Sequence, residues 1–407
     1  MGWRVTDAEM ERMKFITELL EAEGTERTFT DVCQSFGISR QTGYKWRRRF
    51  EEGGAAALSN RRSVAHRQPN ATDEDLEALI VALRKERPRW GPKKLKASLE
   101  REHGRQFPAP STIGDILTRR GLITPRKRRL RVPPQSTPTS PYTGPNAVWC
   151  VDHKGDFALA DGRRCRPLTL IDGFSRFLLR CEAVLSCDFA TTQQHMESAF
   201  REYGLPSAMR SDGGSPFAHA RSPGRLTRLS VWWLKLDIEL HRNDPASPQQ
   251  NARLERFHRT LQEDAIDSGP YMQMVQQRVF DTYRYDYNHH RPHEALEQRT
   301  PQSVYVESWR TYPAVLATPE YAGSDVLVRR VGSSGLVALH GHRLRVGKSL
   351  NGEAVALVQR QDDQWDVYFA RHYLLTVQLR RGELRVTQRP PAADDPTRRP
   401  PLVQCCA

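Results

Sequence analysis

The chain has 407 residues, 38% hydrophobic and 27% charged, a length that suits roughly two to four domains. It contains no run of about 18 apolar residues, so no membrane span is expected, and MGWRVTDAEMERMKF holds no apolar signal core, so secretion is not expected. Seven cysteines without CxxC spacing exclude a zinc ribbon or disulfide framework and suit a reducing cytoplasm, while the net charge of +14 calls for a polyanionic partner.

Residues 7–66 read as a helix followed by a helix-turn-helix. Met13, Ile16, Leu19 and Leu20 have helical spacing, Thr30 is expected to cap a short helix DVCQSF, and Gly37 supplies the turn. Ser39 caps RQTGYKWRRRF, which carries Arg40, Gln41 and Thr42 in its first turn and Lys45 and Arg47 beyond. Donors near a helix N-terminus with cations beside them suit the reading of base edges and phosphates in duplex DNA.

Residues 70–123 predict a second helix-turn-helix of winged-helix-like type, with caps at Thr72 and Ser111 and with Lys93 and Lys94 offered to DNA. From Arg84 to Arg131 there are 16 Lys or Arg against 4 Asp or Glu, so most of the excess charge lies in one segment, as phosphate contact requires. Residues 124–146 form a basic, proline-rich linker. Residues 147–305 then alternate strands and helices, predicting an α/β layer on a mixed sheet, and 306–387 hold short strands that predict a small β-barrel. A disordered tail is expected over 388–407. The fold class is thus multidomain: all-α, then α/β, then all-β.

Three acids stand out. Asp152 lies within the apolar strand VWCVD, Asp212 ends the strand SAMRS before Gly213-Gly214, and Glu255 lies early on the helix beginning near Gln250. An acid in or at the end of an apolar strand is costly unless neutralised, and several converging acids suit a hard divalent cation. Two such ions about 3.5–4 Å apart could serve an in-line phosphoryl displacement.

The segments VWCVDHKGDF, LTLIDGFSRFLL, YGLPSAMRSDGGSPFA and SPQQNARLERFHRTL resemble, in order, the integrase-type, ribonuclease H-like catalytic core of DDE transposases. ISRQTGYKWRRRF resembles the N-terminal domain of insertion-sequence transposases, YNHHRPHEALEQRTP the segment after their core, and the final barrel their C-terminal domain. The resemblance implies that Asp152, Asp212 and Glu255, spaced 60 and 43 positions apart, are both catalytic triad and metal ligands. It implies two magnesium ions, replaceable by manganese, and DNA contact by Arg253, Arg256 and Arg259. It further implies cleavage and strand transfer of an insertion sequence, on double-stranded element ends and target DNA, by a homo-oligomer associated with the nucleoid. The alternative is a catalytically silent DNA-binding protein that regulates transcription. Three positions depart from the pattern: Gly213 follows the second acid, Ala252-Arg253 replaces a Gly-Lys pair, and Gln262 stands where a basic residue is usual seven positions after the glutamate.

Other residues read as structural. Asp156 and Asp172 fit a supporting role, His289, His290 and His293 a polar connection, and Trp232 and Trp233 the core.

Overall fold

The computed structural model describes residues 8–60, 71–123, 142–219, 221–242, 252–361, 363–380 and 383–388, and separates at Thr72 into two units. Most of the expected linker and all but the first residue of the expected tail lie outside the described residues.

The first unit holds α1 (Ala8–Glu21), α2 (Phe29–Ser35) and α3 (Arg40–Gly53) around Phe15, Ile16, Leu19, Val32, Cys33 and Trp46. Thr28, not Thr30, caps α2. Its hydroxyl accepts from the Asp31 amide while the Asp31 carboxylate accepts from the Thr28 amide, a reciprocal pair that Thr30 could not form with Cys33 three positions on. Ser39 caps α3 as expected. Gly37 takes φ +64° at the turn, and Gly43 lets α2 and α3 close up: a Cβ there would lie 2.6 Å from Cys33 Sγ.

The second unit begins with α4 (Glu74–Glu86), α5 (Pro92–His103) and α6 (Pro110–Arg119), packed around Ile80, Trp90, Leu95, Leu99 and Ile113. Neither Thr72 nor Ser111 caps: Asp73 and Ala109 occupy the cap positions, and Pro92 and Pro110 preset the first turns of α5 and α6. The residues that follow Ile123, where the winged-helix-like part of the expectation would fall, lie outside the described residues.

Its main sheet contains β1 (Val148–His153), β4 (Leu168–Asp172), β5 (Leu178–Glu182), β6 (Ala208–Ser211) and β7 (Glu239–Arg242), in the order β5-β4-β1-β6-β7. A small hairpin, β2 (Phe157–Ala158) with β3 (Arg164–Cys165), lies between β1 and β4. β4 is antiparallel to β1 and β5, whereas β1, β6 and β7 run parallel, giving the expected mixed sheet. Strand alternation divides the side chains between two cores. Trp149, Val151, Leu168 and Leu170 join α7 (Phe189–Tyr203) and α8 (Arg228–Lys235). Cys150, Ile171, Leu178 and Cys181 join α9 (Ala252–Leu261) and α10 (Gln273–His289). Asp152 shares the parity of Cys150 and therefore faces α9.

The C-terminal strands β8 (Val326–Arg330), β11 (Ala354–Gln361), β12 (Gln364–Phe369), β13 (His372–Arg380) and β14 (Glu383–Gln388) form an open antiparallel sheet. β9 (Leu336–Leu339) and β10 (His342–Arg345) pair only with each other. The expected barrel is therefore not formed among the described residues: no ladder joins the edges β8 and β14. The β9–β10 hairpin lies against both edges instead, and Arg329 Nε donates to the Ala338 carbonyl at 3.3 Å. Leu357, Val367 and Leu375 share one continuous core with Trp149 and Trp233, so this sheet is packed on the α7–α8 side rather than standing apart.

Candidate active site and nucleic-acid interface

The register of β1 on β6 pairs Val148 with Ala208, Trp149 with Met209 and Cys150 with Arg210. Continued two residues, the same register sets Asp152 beside Asp212. The two strands run parallel, so both acids lie at carboxyl ends of strands. Burial first, and then the charge of Asp212, push the Asp152 carboxyl up to about 7. The Asp212 carboxylate accepts from the Gly214 amide at 3.2 Å, the close turn expected of Gly213-Gly214.

Helix α9 covers this edge. Leu254, Phe257 and Leu261 turn inward, Glu255 is exposed in the first turn, and His258 follows three residues on. His258 Nε2 lies 2.8 Å from Thr169 Oγ1, and Nδ1 lies 3.8 Å from Asp152 Oδ2. Thr169, opposite Asp152 on β4, also donates to the Asp152 carbonyl at 3.1 Å. Burial, and then the nearby Lys154 charge, bring the His258 imidazole down to about 4, so at neutral pH it meets Asp152 as a neutral ring. Sequence reasoning missed His258, Thr169 and Lys154. Only the sheet register and the fit of α9 make them neighbours.

Asp152 and Asp212 are thus brought together, while Glu255 sits on the helix above them. Among the described residues no group of three His, Cys, Asp or Glu side chains stands ready to hold a metal. In kind the donors fit a hard divalent cation: two half-buried carboxylates set side by side, with no Lys or Arg within 4.0 Å of Asp152 among the described residues.

The expected DNA-contacting residues fall into different groups. On α3, Arg40, Gln41 and Lys45 are exposed and Thr42 is half-buried beside the Ser39 cap. Arg47 is drawn to Glu51 at 2.8 Å and Glu23 at 3.6 Å. Tyr44, stacked on Phe29 with centroids 4.2 Å apart, adds an exposed aromatic edge to the same face. On α9, Arg256 and Arg259 are exposed, and the side chain of Arg253 lies outside the described residues.

Lys93 is exposed and Lys94 half-buried, and both lie near acids of the same unit. Lys93 Nζ lies 2.7 Å from Glu294, and burial, reinforced by the charge of Arg291, brings the Lys94 ammonium down to about 8. Arg87 pairs with Asp286 at 2.7 Å and Arg89 with Asp264 at 2.8 Å, while Arg101 donates to the His290 carbonyl at 3.0 Å. Arg87, Arg89, Lys93 and Arg101 of the basic segment therefore help to fasten α4–α6 to the core.

The residues read as structural are so placed. The buried Asp172 carboxylate accepts from the Asn146 and Ser175 amides and the Ser175 hydroxyl, closing the turn after β4. Asp156 pairs with Arg164, and Trp232 and Trp233 are buried. His293 is half-buried against Tyr287, and desolvation there, with the charge of Lys94 next, brings its imidazole down to about 3. Cys33, Cys150, Cys165, Cys181 and Cys187 are all free thiols.

No helix among the described residues is long and apolar enough to cross a membrane. Family models described as integrase core domain match residues 142–248 and 236–301, a helix-turn-helix domain matches 11–64, and a homeodomain-like domain matches 42–117. An uncharacterized 31.7 kDa protein of insertion element IS407 from Burkholderia multivorans is 29% identical over 265 residues, covering 64% of this chain and 91% of that protein. An uncharacterized protein of insertion element IS136 from Agrobacterium tumefaciens is 30% identical over 167 residues, covering 39% of this chain and 81% of that protein. The HTLV-2 integrase catalytic core domain, solved in complex with magnesium, aligns with a TM-score of 0.32 and 12% identity over 40% of this chain and 99% of its own, too loosely to bear on the assignment. With helix-turn-helix segments ahead of an integrase core, and relatives encoded by insertion elements, the chain belongs to the insertion-sequence transposase family, with a ribonuclease H-like core.

Proposed function

We propose that this protein is a DDE transposase that cleaves the ends of its insertion sequence and joins them to target DNA, with Asp152, Asp212 and Glu255 as the acids that do so. The observation that carries the reading is the β1–β6 register, which sets Asp152 beside Asp212 on the face covered by the Glu255 helix. Two carboxylates kept together at the cost of raising one of them to about 7 are poor architecture unless a cation completes them. Asp152 and Asp212 would hold magnesium, with Glu255 supplied from α9. When bound, the ion supplies charge stabilisation to an in-line phosphoryl displacement.

The chain's own residues prepare that site. Thr169 and His258 tie α9 to the strands that bear Asp152, fixing the approach of Glu255. Gly213 makes room for the Arg225 guanidinium, which would lie 3.0 Å from a Cβ there, and Gly214 lets the chain turn close over the Asp212 carboxylate. The exposed α3 face, with Arg40, Gln41, Thr42 and Lys45, is suited to the major groove of the element ends, and Arg256 and Arg259 to phosphates near the core. Synapsis of two ends requires a homo-oligomer.

The test is a strand-transfer assay with magnesium on duplexes bearing the DNA that flanks the element, comparing wild type with Asp212→Asn. Wild type should cleave and join. The variant should bind equally well but lose more than the roughly 10–100-fold that removal of a merely supporting partner costs. A wild type that binds those ends yet neither cleaves nor joins them overturns the reading.

A further inference from the structure

Taking its ligand, the DNA backbone, from the reading above, we propose that Lys154 is a phosphate-contacting cation of the core and that Gln262 is the residue that positions it. Lys154 follows directly on β1, two residues past Asp152, and its amide donates to the Pro167 carbonyl at 2.9 Å, so its root is fixed. Its ammonium donates to Gln262 Oε1 at 2.5 Å. The other end of that amide, Gln262 Nε2, donates to Asp267 Oδ1 at 2.6 Å. The amide therefore has one orientation. Reversed, it would set its NH₂ against an ammonium and its carbonyl against a carboxylate.

The kind of partner is the telling point. Arg87, Arg89 and Lys93 each end on a carboxylate of the same chain. Lys154 ends on a neutral amide and makes no ion pair within 4.0 Å among the described residues. A tie needed only for structure would gain more from an acid, and Glu263 and Asp264 are the next two residues in the chain. The amide stands between the ammonium and the Asp267 carboxylate, which acts on Lys154 only from beyond hydrogen-bond range, so the charge is held in place without a direct ion pair and is left largely for an anion that arrives later.

The location fits a phosphodiester. Gln262 opens the π-helical turn Gln262–Ile266 at the end of α9, a distortion that recurs at functional sites. Glu255, His258 and Gln262 follow one another at helical spacing along one flank of α9, and His258 already reaches Asp152 from that flank. Lys154 thus stands beside the acids, where a DNA strand brought to Asp152 and Asp212 would pass.

Counterion release tests this without depending on catalysis. The affinity of the full-length protein for a fluorescent mixed-sequence duplex is followed by anisotropy across a potassium chloride series, in parallel with strand transfer by the wild type. Loss of one phosphate contact lowers the magnitude of the log–log salt slope by about 0.9, so the affinity gap between wild type and Lys154→Gln should shrink about 3.5-fold from about 50 to about 200 mM salt. Lys154→Arg should keep the wild-type slope. Gln262→Glu should lose the contact as Lys154→Gln does, because the new carboxylate cancels the ammonium while keeping it tied, whereas a purely structural bond would survive that change. The proposal is overturned if Lys154→Gln keeps the full slope, if Lys154→Arg loses it, or if Gln262→Glu leaves it intact. A wild type that binds but never cleaves or joins would sink the catalytic reading and leave these slopes to judge Lys154 separately.

Discussion

Replacing Asp152 by Asn should stabilise the metal-free protein while abolishing its chemistry. The carboxyl is pushed from its usual 3.8 up to about 7, mainly by burial and next by Asp212. The folded state therefore holds on to a proton that the unfolded chain releases, and stability falls as pH rises from about 4 to about 7. Ionising a carboxyl held that far above its usual value costs on the order of 4 kcal/mol near pH 8, shrinking to about 2 kcal/mol near pH 5. The side chain is 18% exposed, so solvent screening trims this only modestly. At about 2.1 cal/mol/K per residue, the second unit has an unfolding entropy near 0.7 kcal/mol/K, which turns 4 kcal/mol into a rise in Tm of about 6 °C. Calorimetry in chelator at both pH values measures it. Asparagine keeps the shape and removes the charge, so the gain should be greatest at the higher pH. A variant that melts no higher than wild type near pH 8, or whose gain does not fall toward pH 5, would refute the claim that Asp152 is held against an electrostatic cost.

Gly43→Ala would place a Cβ 2.6 Å from Cys33 Sγ and 3.0 Å from the Phe29 ring, so the first unit should lose about 1–3 kcal/mol by overpacking; a thermal melt of the first unit's transition reads this. Asn288→Ala orphans both the amide and the carbonyl of Leu178, which the carboxamide holds at 2.8 and 3.0 Å, and should cost about 1–3 kcal/mol for each group in urea titrations. On α3, Lys45→Ala should reduce the salt slope of DNA binding by about 0.9, whereas Arg47→Ala should change it less, because Glu51 and Glu23 already compete for that guanidinium. Equal slopes for the two variants would mean that Arg47 leaves its acids to meet DNA.

What can be read from the sequence follows the range of the interactions involved. Ser39 and Gly37 act within a few residues, and both are legible. Thr30 stands out as the cap of α2 only if the helix is started two residues late; the deciding acid, Asp31, lies three residues after Thr28. Asp152 is conspicuous as an acid in an apolar strand, yet its partnership with Asp212 is a fact of register, which no local pattern states. The C-terminal strands alternate clearly enough to be found, but closure depends on which edges meet, and β9 and β10 meet each other.

The basic segment shows the same limit more sharply. Its concentration of charge argues for phosphate contact only if those cations have no acids to meet, and their acids lie far along the chain. Lys93 reaches Glu294, Arg89 reaches Asp264 and Arg87 reaches Asp286, all on or beside the helices that follow Glu255. The charge of the segment alone counts these cations without the distant acids they meet, so it does not tell which of them also fasten the fold. Each pair is exposed or half-buried and contributes at most about 1 kcal/mol, so together they set the seating of α4–α6 more than the stability of the unit. Asp264 lies in the π-helical turn that Gln262 opens, two residues from the amide that holds Lys154. The same short turn therefore meets Arg89 and Arg291 directly with its acid, and meets Lys154 only with its amide, with no carboxylate in direct contact. That difference in partner, rather than the number of cations, is the physical ground for separating cations that fasten the protein from those left to meet DNA.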